Sequence, residues 1–144
     1  MTPGGAFLGA LLLAIAVIDL RTLRIPDWLS LPLIAAGLAR TAFVAPERLP
    51  AHALGAAAGY AVLGLFGALY FRLRGRDGLG LGDAKLFAAG GAWLGWQPLP
   101  AVLAVGAVGG LVFALATGLG RSARIAFGPW LALAIWLAWL AGRH

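Results

Sequence analysis

Apolar stretches bounded by charges or helix breakers divide the chain into six predicted helices, over about residues 5–20, 28–45, 52–71, 84–97, 99–120 and 127–142. The fourth and fifth are separated by chemistry rather than by charge. From Leu86 to Gly120 no charged residue occurs in 35 positions, which as one helix would extend about 52 Å against a bilayer core of about 30 Å. Gln97-Pro98-Leu99-Pro100 is the natural break. In the second helix Arg40 falls about one turn from the end, where a long side chain can snorkel to lipid headgroups.

Composition turns these helices into membrane spans. Of 144 residues 62% are apolar, a further 22 are glycine and only 11% are charged. Water-soluble domains carry about 25% charged residues because their surface faces water on all sides. Six spans of roughly 20 residues use almost the whole length, so the expected architecture is an all-α polytopic bundle of about six transmembrane helices, residues 1–144 forming one unit with no separate soluble domain. No Lys or Arg precedes the apolar run that starts near Phe7, so the N-terminus reads as a first span and not as a cleavable signal peptide. The absence of cysteine excludes disulfides, thiolate metal sites and a cysteine nucleophile.

The net charge of +6 arises from 11 basic and 5 acidic residues. In such a chain a basic excess reports orientation rather than nucleic-acid binding. Connections after spans 1, 3 and 5 hold Arg21, Arg24, Arg72, Arg74, Arg76, Lys85, Arg121 and Arg124, whereas the other side holds Arg40, Arg48 and Arg143. The positive-inside rule therefore places the odd-numbered loops in the cytoplasm and both termini outside. Trp28, Tyr70 and Trp130 then lie near the inner interface and Trp96 and Trp139 near the outer one, as interfacial anchors. Gly55 and Gly59, Gly91 and Gly95, and Gly106 and Gly110 are each four apart, a spacing that lets another backbone approach. It is equally the spacing that a glycine-rich composition produces by chance.

With so few acids, each is informative. Glu47 neighbours Arg48 in an outer turn and Asp77 sits in Gly75-Arg76-Asp77-Gly78, both solvated surface positions. Asp19 is different: it ends an unbroken apolar helix in Val17-Ile18-Asp19-Leu20, and an ionisable group held that close to lipid is costly and points to function. Asp83 follows the glycine-rich segment Gly78-Leu79-Gly80-Leu81-Gly82 and leads into span 4, where helix N-capping is the plain structural alternative. The charge-derived topology puts Asp19 and Asp83 on the same cytoplasmic boundary. Two carboxylates held close together share a proton. The ionised member then activates water while the protonated one donates to a peptide carbonyl, with no covalent adduct. His52 and His144 fall outside, Ser30 and Ser122 have no evident base, and H-E-x-x-H spacing is missing, so serine and zinc proteases are excluded on inventory. No cofactor or metal is implied.

Three segments resemble the type IV prepilin peptidase family, membrane aspartic proteases with a GxGD motif. They are Ile18-Asp19-Leu20 through Arg24-Ile25-Pro26-Asp27-Trp28-Leu29-Ser30-Leu31-Pro32-Leu33, then Gly80-Leu81-Gly82-Asp83-Ala84-Lys85, and Phe127-Gly128-Pro129. The resemblance implies Asp19 and Asp83 as catalytic, with Gly80, Gly82, Lys85, Pro26 and Asp27 as supporting positions. Asp27 matches a place where the family uses Asp or Asn, which suits a helix cap and not an obligatory acid or base. Lys85 either holds a carboxylate ionised or snorkels beside the headgroups. The implied activity is removal of the basic leader from prepilin or pseudopilin precursors of a pilus, type II secretion or DNA-uptake system at the bacterial cytoplasmic (inner) membrane, with lipid as the surrounding partner and no nucleic acid.

Many family members carry an extra N-terminal segment with paired cysteines associated with methylation, so this sequence resembles the protease core alone, and methylation would fall to another chain. A presenilin-like or signal-peptide-peptidase-like protease shares GxGD but resembles longer proteins with a Pro-Ala-Leu element. A small transporter or assembly scaffold, in which the two aspartates relay protons or hold helices together, is the non-enzymatic alternative.

Overall fold

The computed structural model describes residues 3–22, 27–74, 81–117 and 128–142. Six α-helices account for nearly all of them: α1 Pro3–Thr22, α2 Asp27–Val44, α3 Leu49–Arg74, α4 Leu81–Leu94, α5 Leu99–Thr117 and α6 Gly128–Gly142, with a 3-10 turn Pro46–Arg48 before α3. No strand occurs among the described residues. The protein is all-α, as expected from the apolar pattern.

Side-chain contacts fix the direction of each helix. Trp136 lies on Gly9, and the Gly128 amide reaches Asp19, so α1 and α6 are antiparallel. Ile135 touches Gly90, and Trp139 meets Trp93 edge-on at 5.6 Å, so α4 runs parallel to α6. Phe113 and Gly109 on α5 both pack on Trp130, with Gly106 on Leu131, making α5 antiparallel to α6. Gly55 meets Gly91, and Gly59 meets Phe87, making α3 antiparallel to α4. The Arg40 guanidinium lies 4.8 Å from the ring centre of Trp139 and touches the Gly4 position, so α2 ends where α1 begins and α6 ends. Successive helices thus alternate in direction, and α2, α4 and α6 all start at the end where α1 stops.

Helix α4 is the centre of the bundle. Leu86 through Gly95 is buried without interruption, as an element apolar on every side must be. Its close approach to α3 depends on missing side chains: a Cβ at Gly55 would come within 2.9 Å of the Gly91 carbonyl oxygen, and one at Gly59 within 3.0 Å of that of Phe87. At Gly55, Gly59 and Gly91 the four-residue spacing is therefore a packing device. Gly95 has another task. With φ of +86° it terminates α4, and its amide donates to the Gly91 carbonyl at 2.8 Å.

That cap corrects the sequence expectation. The helix stops at Leu94, three residues short of the predicted end, because glycine closes it before the prolines act; Pro100 then falls in the first turn of α5, where its missing N–H costs nothing. Likewise α3 begins at Leu49 and not near 52, since Pro50 is tolerated in a first turn. Trp139 is 3% exposed and carries Arg40 on its ring, so it is a core side chain and not the interfacial anchor expected of it. Trp28, 69% exposed, and Trp96 remain on the surface as expected.

His52 explains how the end of the bundle far from Asp19 is tied. Only 6% exposed, it places Nδ1 2.8 Å from the Ala92 carbonyl and 3.1 Å from Thr41 Oγ1. A carbonyl only accepts, so Nδ1 carries the proton; the Thr41 hydroxyl donates to the Gly37 carbonyl at 2.9 Å and receives from His52. One imidazole thereby joins α2, α3 and α4.

The outer surface is apolar. Helix α3 turns Leu54, Leu65, Phe66 and Leu69 outward, and α5 turns Val108, Leu111, Val112 and Leu115 outward. Pro46–Leu69 and Leu99–Ala116 are long and apolar enough to cross a membrane, and Gly4–Asp19, Trp28–Val44 and Gly128–Gly142 are shorter apolar helices.

Candidate active site

Asp19 lies on the core face of α1. It occupies the stripe of Leu8, Leu12 and Ile15, one turn beyond the last of them, and is 4% exposed. A carboxylate removed from water needs donors to replace its hydration. One comes from the backbone: the amide of Gly128, the first residue of α6, donates to Oδ2 at 2.9 Å. That amide is free because the first turn of a helix leaves its N–H groups without intrahelical acceptors. Pro129 follows it, fixing φ at the second helical position without the loss of a needed donor. The late segment Phe127-Gly128-Pro129 thus meets the early one at Asp19 through its glycine; Phe127 lies outside the described residues.

Asp83 is the third residue of α4 and is half-buried. Since α4 starts at Leu81 and not near 84, Asp83 sits inside the first turn; the N-cap alternative is corrected by the earlier start of the helix. The register set by Gly90 against Ile135 and Trp93 against Trp139, carried back along the parallel pair α4 and α6, brings Asp83 level with Gly128. The two aspartates, far apart in sequence, therefore share one end of the bundle around the start of α6.

Three of the five supporting positions fall at this end. Lys85 is half-buried, two residues beyond Asp83. Asp27 is the first residue of α2 and Gly82 the second of α4, at the same end. Gly80 and Pro26 lie outside the described residues, as does Asp77. Arg21 at the end of α1, Arg72 near the end of α3 and Lys85 also belong to this end, while Arg40 and Arg48 belong to the other. Sequence reasoning had no means to specify the Gly128 amide as the donor to Asp19.

The profile of the type IV leader peptidase family matches residues 6–115, a stretch that contains both aspartates. The chain belongs to that family. Within it, proteins named prepilin leader peptidase/N-methyltransferase are 43% identical in Aeromonas salmonicida, over 99% of this chain and 52% of the relative; 40% identical in Neisseria gonorrhoeae, over 98% and 49%; and 42% identical in Escherichia coli K12, over 90% and 61%. The chain thus spans about half the length of most of these family members. No solved structure matches it.

Proposed function

We propose that the protein is an aspartic endopeptidase that removes the basic leader of type IV prepilin-like precursors at the cytoplasmic face of the bacterial inner membrane. The observation that carries this reading is the placement of Asp19 and Asp83 at one end of the bundle, with Asp19 held by the amide that opens α6. In the proposed reaction one carboxylate, ionised, takes a proton from water as the water oxygen bonds to the scissile carbonyl carbon. The other, protonated, gives its proton to the carbonyl oxygen. Collapse of the tetrahedral species breaks the C–N bond: the first carboxyl group passes its proton to the leaving nitrogen while a hydroxyl of the diol returns one to the second carboxylate as the C=O bond re-forms, so the pair ends with the one proton it began with. The proposal covers leader cleavage alone; the methyltransferase in the relatives' name is said of proteins about twice this length.

Lipid surrounds the six helices as one transmembrane unit in this reading. It is supported by the outward-facing leucines, valines and phenylalanines of α3 and α5, which no soluble surface would gather in such number. Orientation rests on the basic residues clustered at the aspartate end, which belongs in the cytoplasm. A single cysteine introduced by Asp77→Cys in this cysteine-free chain is expected to react with an impermeant maleimide only after the membrane is opened, and one added after His144 without opening. Labelling of position 77 from outside would reverse the orientation and the substrate face together.

The activity itself is tested with a precursor bearing a basic leader, glycine and an apolar span, reconstituted with the protein in phospholipid vesicles. Cleavage before the apolar span is expected, with a bell-shaped pH dependence whose two limbs belong to the carboxylate pair and not to either residue. Chelators, thiol reagents and serine-directed acylating agents are expected to leave it intact. Activity lost on chelation and restored by a divalent metal would mean that the carboxylates hold a metal, and the proposed mechanism would fall.

A further inference from the structure

Between α1 and α6 the bundle carries an open apolar groove of about 540 Å3. It is lined by the small residues Ala6, Ala10 and Ala16 of α1 and Ala132 of α6, together with Leu13 and Trp136. The Trp136 ring rests on Gly9, where a Cβ would come within 2.9 Å of it, so the ring walls the groove at mid-height without filling it.

The groove has a direction. Its near end is lined by Ala16 and Pro129. Ala16 is one turn before Asp19 on α1, and Pro129 immediately follows Gly128, whose amide holds the Asp19 carboxylate. From there the groove runs back toward Ala6, ten residues of helix or about 15 Å, roughly half the depth of a bilayer core. Two other cavities lead elsewhere. An apolar cleft of about 290 Å3 between α3, α4 and α5 turns toward Trp96 and Leu99, and a cavity lined by Arg48, His52 and Gln97 opens at the end remote from the aspartates.

We propose that the α1–α6 groove seats the apolar helix of the precursor, so that the peptide bond preceding that helix arrives at Asp19. This inference rests on the leader-peptidase reading and names how that same site takes its substrate. In the proposed reaction the scissile bond joins a polar leader to an apolar helix, and the carboxylates act where the helix leaves the membrane. The part of the substrate entering the bilayer must therefore lie beside the catalytic end and run outward from it. The groove starts at that end, runs in that direction and is apolar along its length. Its alanines let a second backbone come close, which is how helices associate where no water is present to drive them together. Filling the groove should then weaken binding of the full precursor while sparing the chemistry.

Ala10→Phe places a ring in the groove from an exposed position about three turns from Asp19, and Leu115→Phe places the same ring on the outward face of α5. In vesicles of phosphatidylethanolamine and phosphatidylglycerol, Ala10→Phe is expected to raise KM for the full precursor about tenfold. Cleavage of a short water-soluble peptide that ends a few residues beyond the scissile bond should not change, and Leu115→Phe should alter neither. Equal loss on both substrates would mean that the ring disturbs the catalytic end, and loss on neither would mean that the groove is unused; either result overturns the docking. A photoreactive benzoylphenylalanine at position 10 supplies a readout that does not depend on cleavage. It is expected to cross-link the apolar span of the precursor, whereas the same group at position 115 is not. Cross-linking from position 10 to a second copy of the chain, or to lipid alone, overturns the proposal. Precursor captured at position 10 but not cut would leave the docking standing and remove the peptidase reading.

Discussion

Asp19→Asn and Asp83→Asn are each expected to reduce leader cleavage by about 10³-fold or more, the scale lost with an essential acid or base, while leaving the protein inserted and folded. Asparagine has the shape of aspartate, and its amide oxygen can still accept from the Gly128 amide that now holds Asp19 at 2.9 Å. The contact between α1 and α6 therefore survives, and what is lost is the group that exchanges a proton. Asp19→Leu is a different experiment: it leaves the buried Gly128 amide without an acceptor, at a cost of about 1–3 kcal/mol, and lowers stability as well as activity. Asp27→Asn, at the start of α2, should retain most activity if its role is the helix cap expected from the sequence, because such a cap needs only an acceptor oxygen. The measurement is cleavage of a prepilin-type precursor at matched protein level. Near-normal turnover in either Asp19→Asn or Asp83→Asn refutes the carboxylate pair.

How much of this site was legible beforehand differs from residue to residue. Asp19 stands out in the sequence because a charge at the end of an apolar helix has no cheap explanation, and the structure finds it buried with a backbone donor. Asp83 is ambiguous from pattern alone, since an acid after a glycine-rich segment describes any helix start. Placing it level with Asp19 takes the register between α4 and α6, and that register is set by Gly90 against Ile135 and by Trp93 against Trp139. Contacts between residues so far apart in sequence leave no mark in local periodicity. The helices themselves were visible because apolar runs and charges bound them. Their ends were not, because proline permits a helix to start around it, as at Pro50 and Pro100, and because Gly95 closes α4 through a left-handed backbone that residue type allows but does not demand. The burial of Trp139 and His52 and the stacking of Arg40 on Trp139 were hidden for a related reason. Near a helix end these side chains have two favourable destinations, the lipid interface or a partner, and only the neighbouring helices decide between them.

Gly91 is where the largest structural effect is expected. A Cβ there would collide with the carbonyl carbon and oxygen of Gly55 and come within 2.6 Å of the Ala56 amide nitrogen, all of it backbone. A flexible side chain can swing aside, but the α3 backbone can only move as a helix. Moving it would separate α3 from α4 along Gly55 and Gly59, and would pull His52 away from the Ala92 carbonyl that it reaches at 2.8 Å. Gly91→Ala is therefore expected to destabilise by about 3 kcal/mol, the upper part of the usual range for overpacking. The better helix propensity of alanine, worth about 1 kcal/mol, offsets only part of the steric cost. Gly64→Ala on α3 is the matched control: nothing lies within 4 Å of a Cβ at that position, so only the propensity gain remains. Unfolding of the two variants in the same detergent should place Gly91→Ala well below the parent protein and Gly64→Ala at or above it. Equal midpoints for the two would show that α3 and α4 do not meet at Gly55 and Gly91, and the central position of α4 would have to be redrawn.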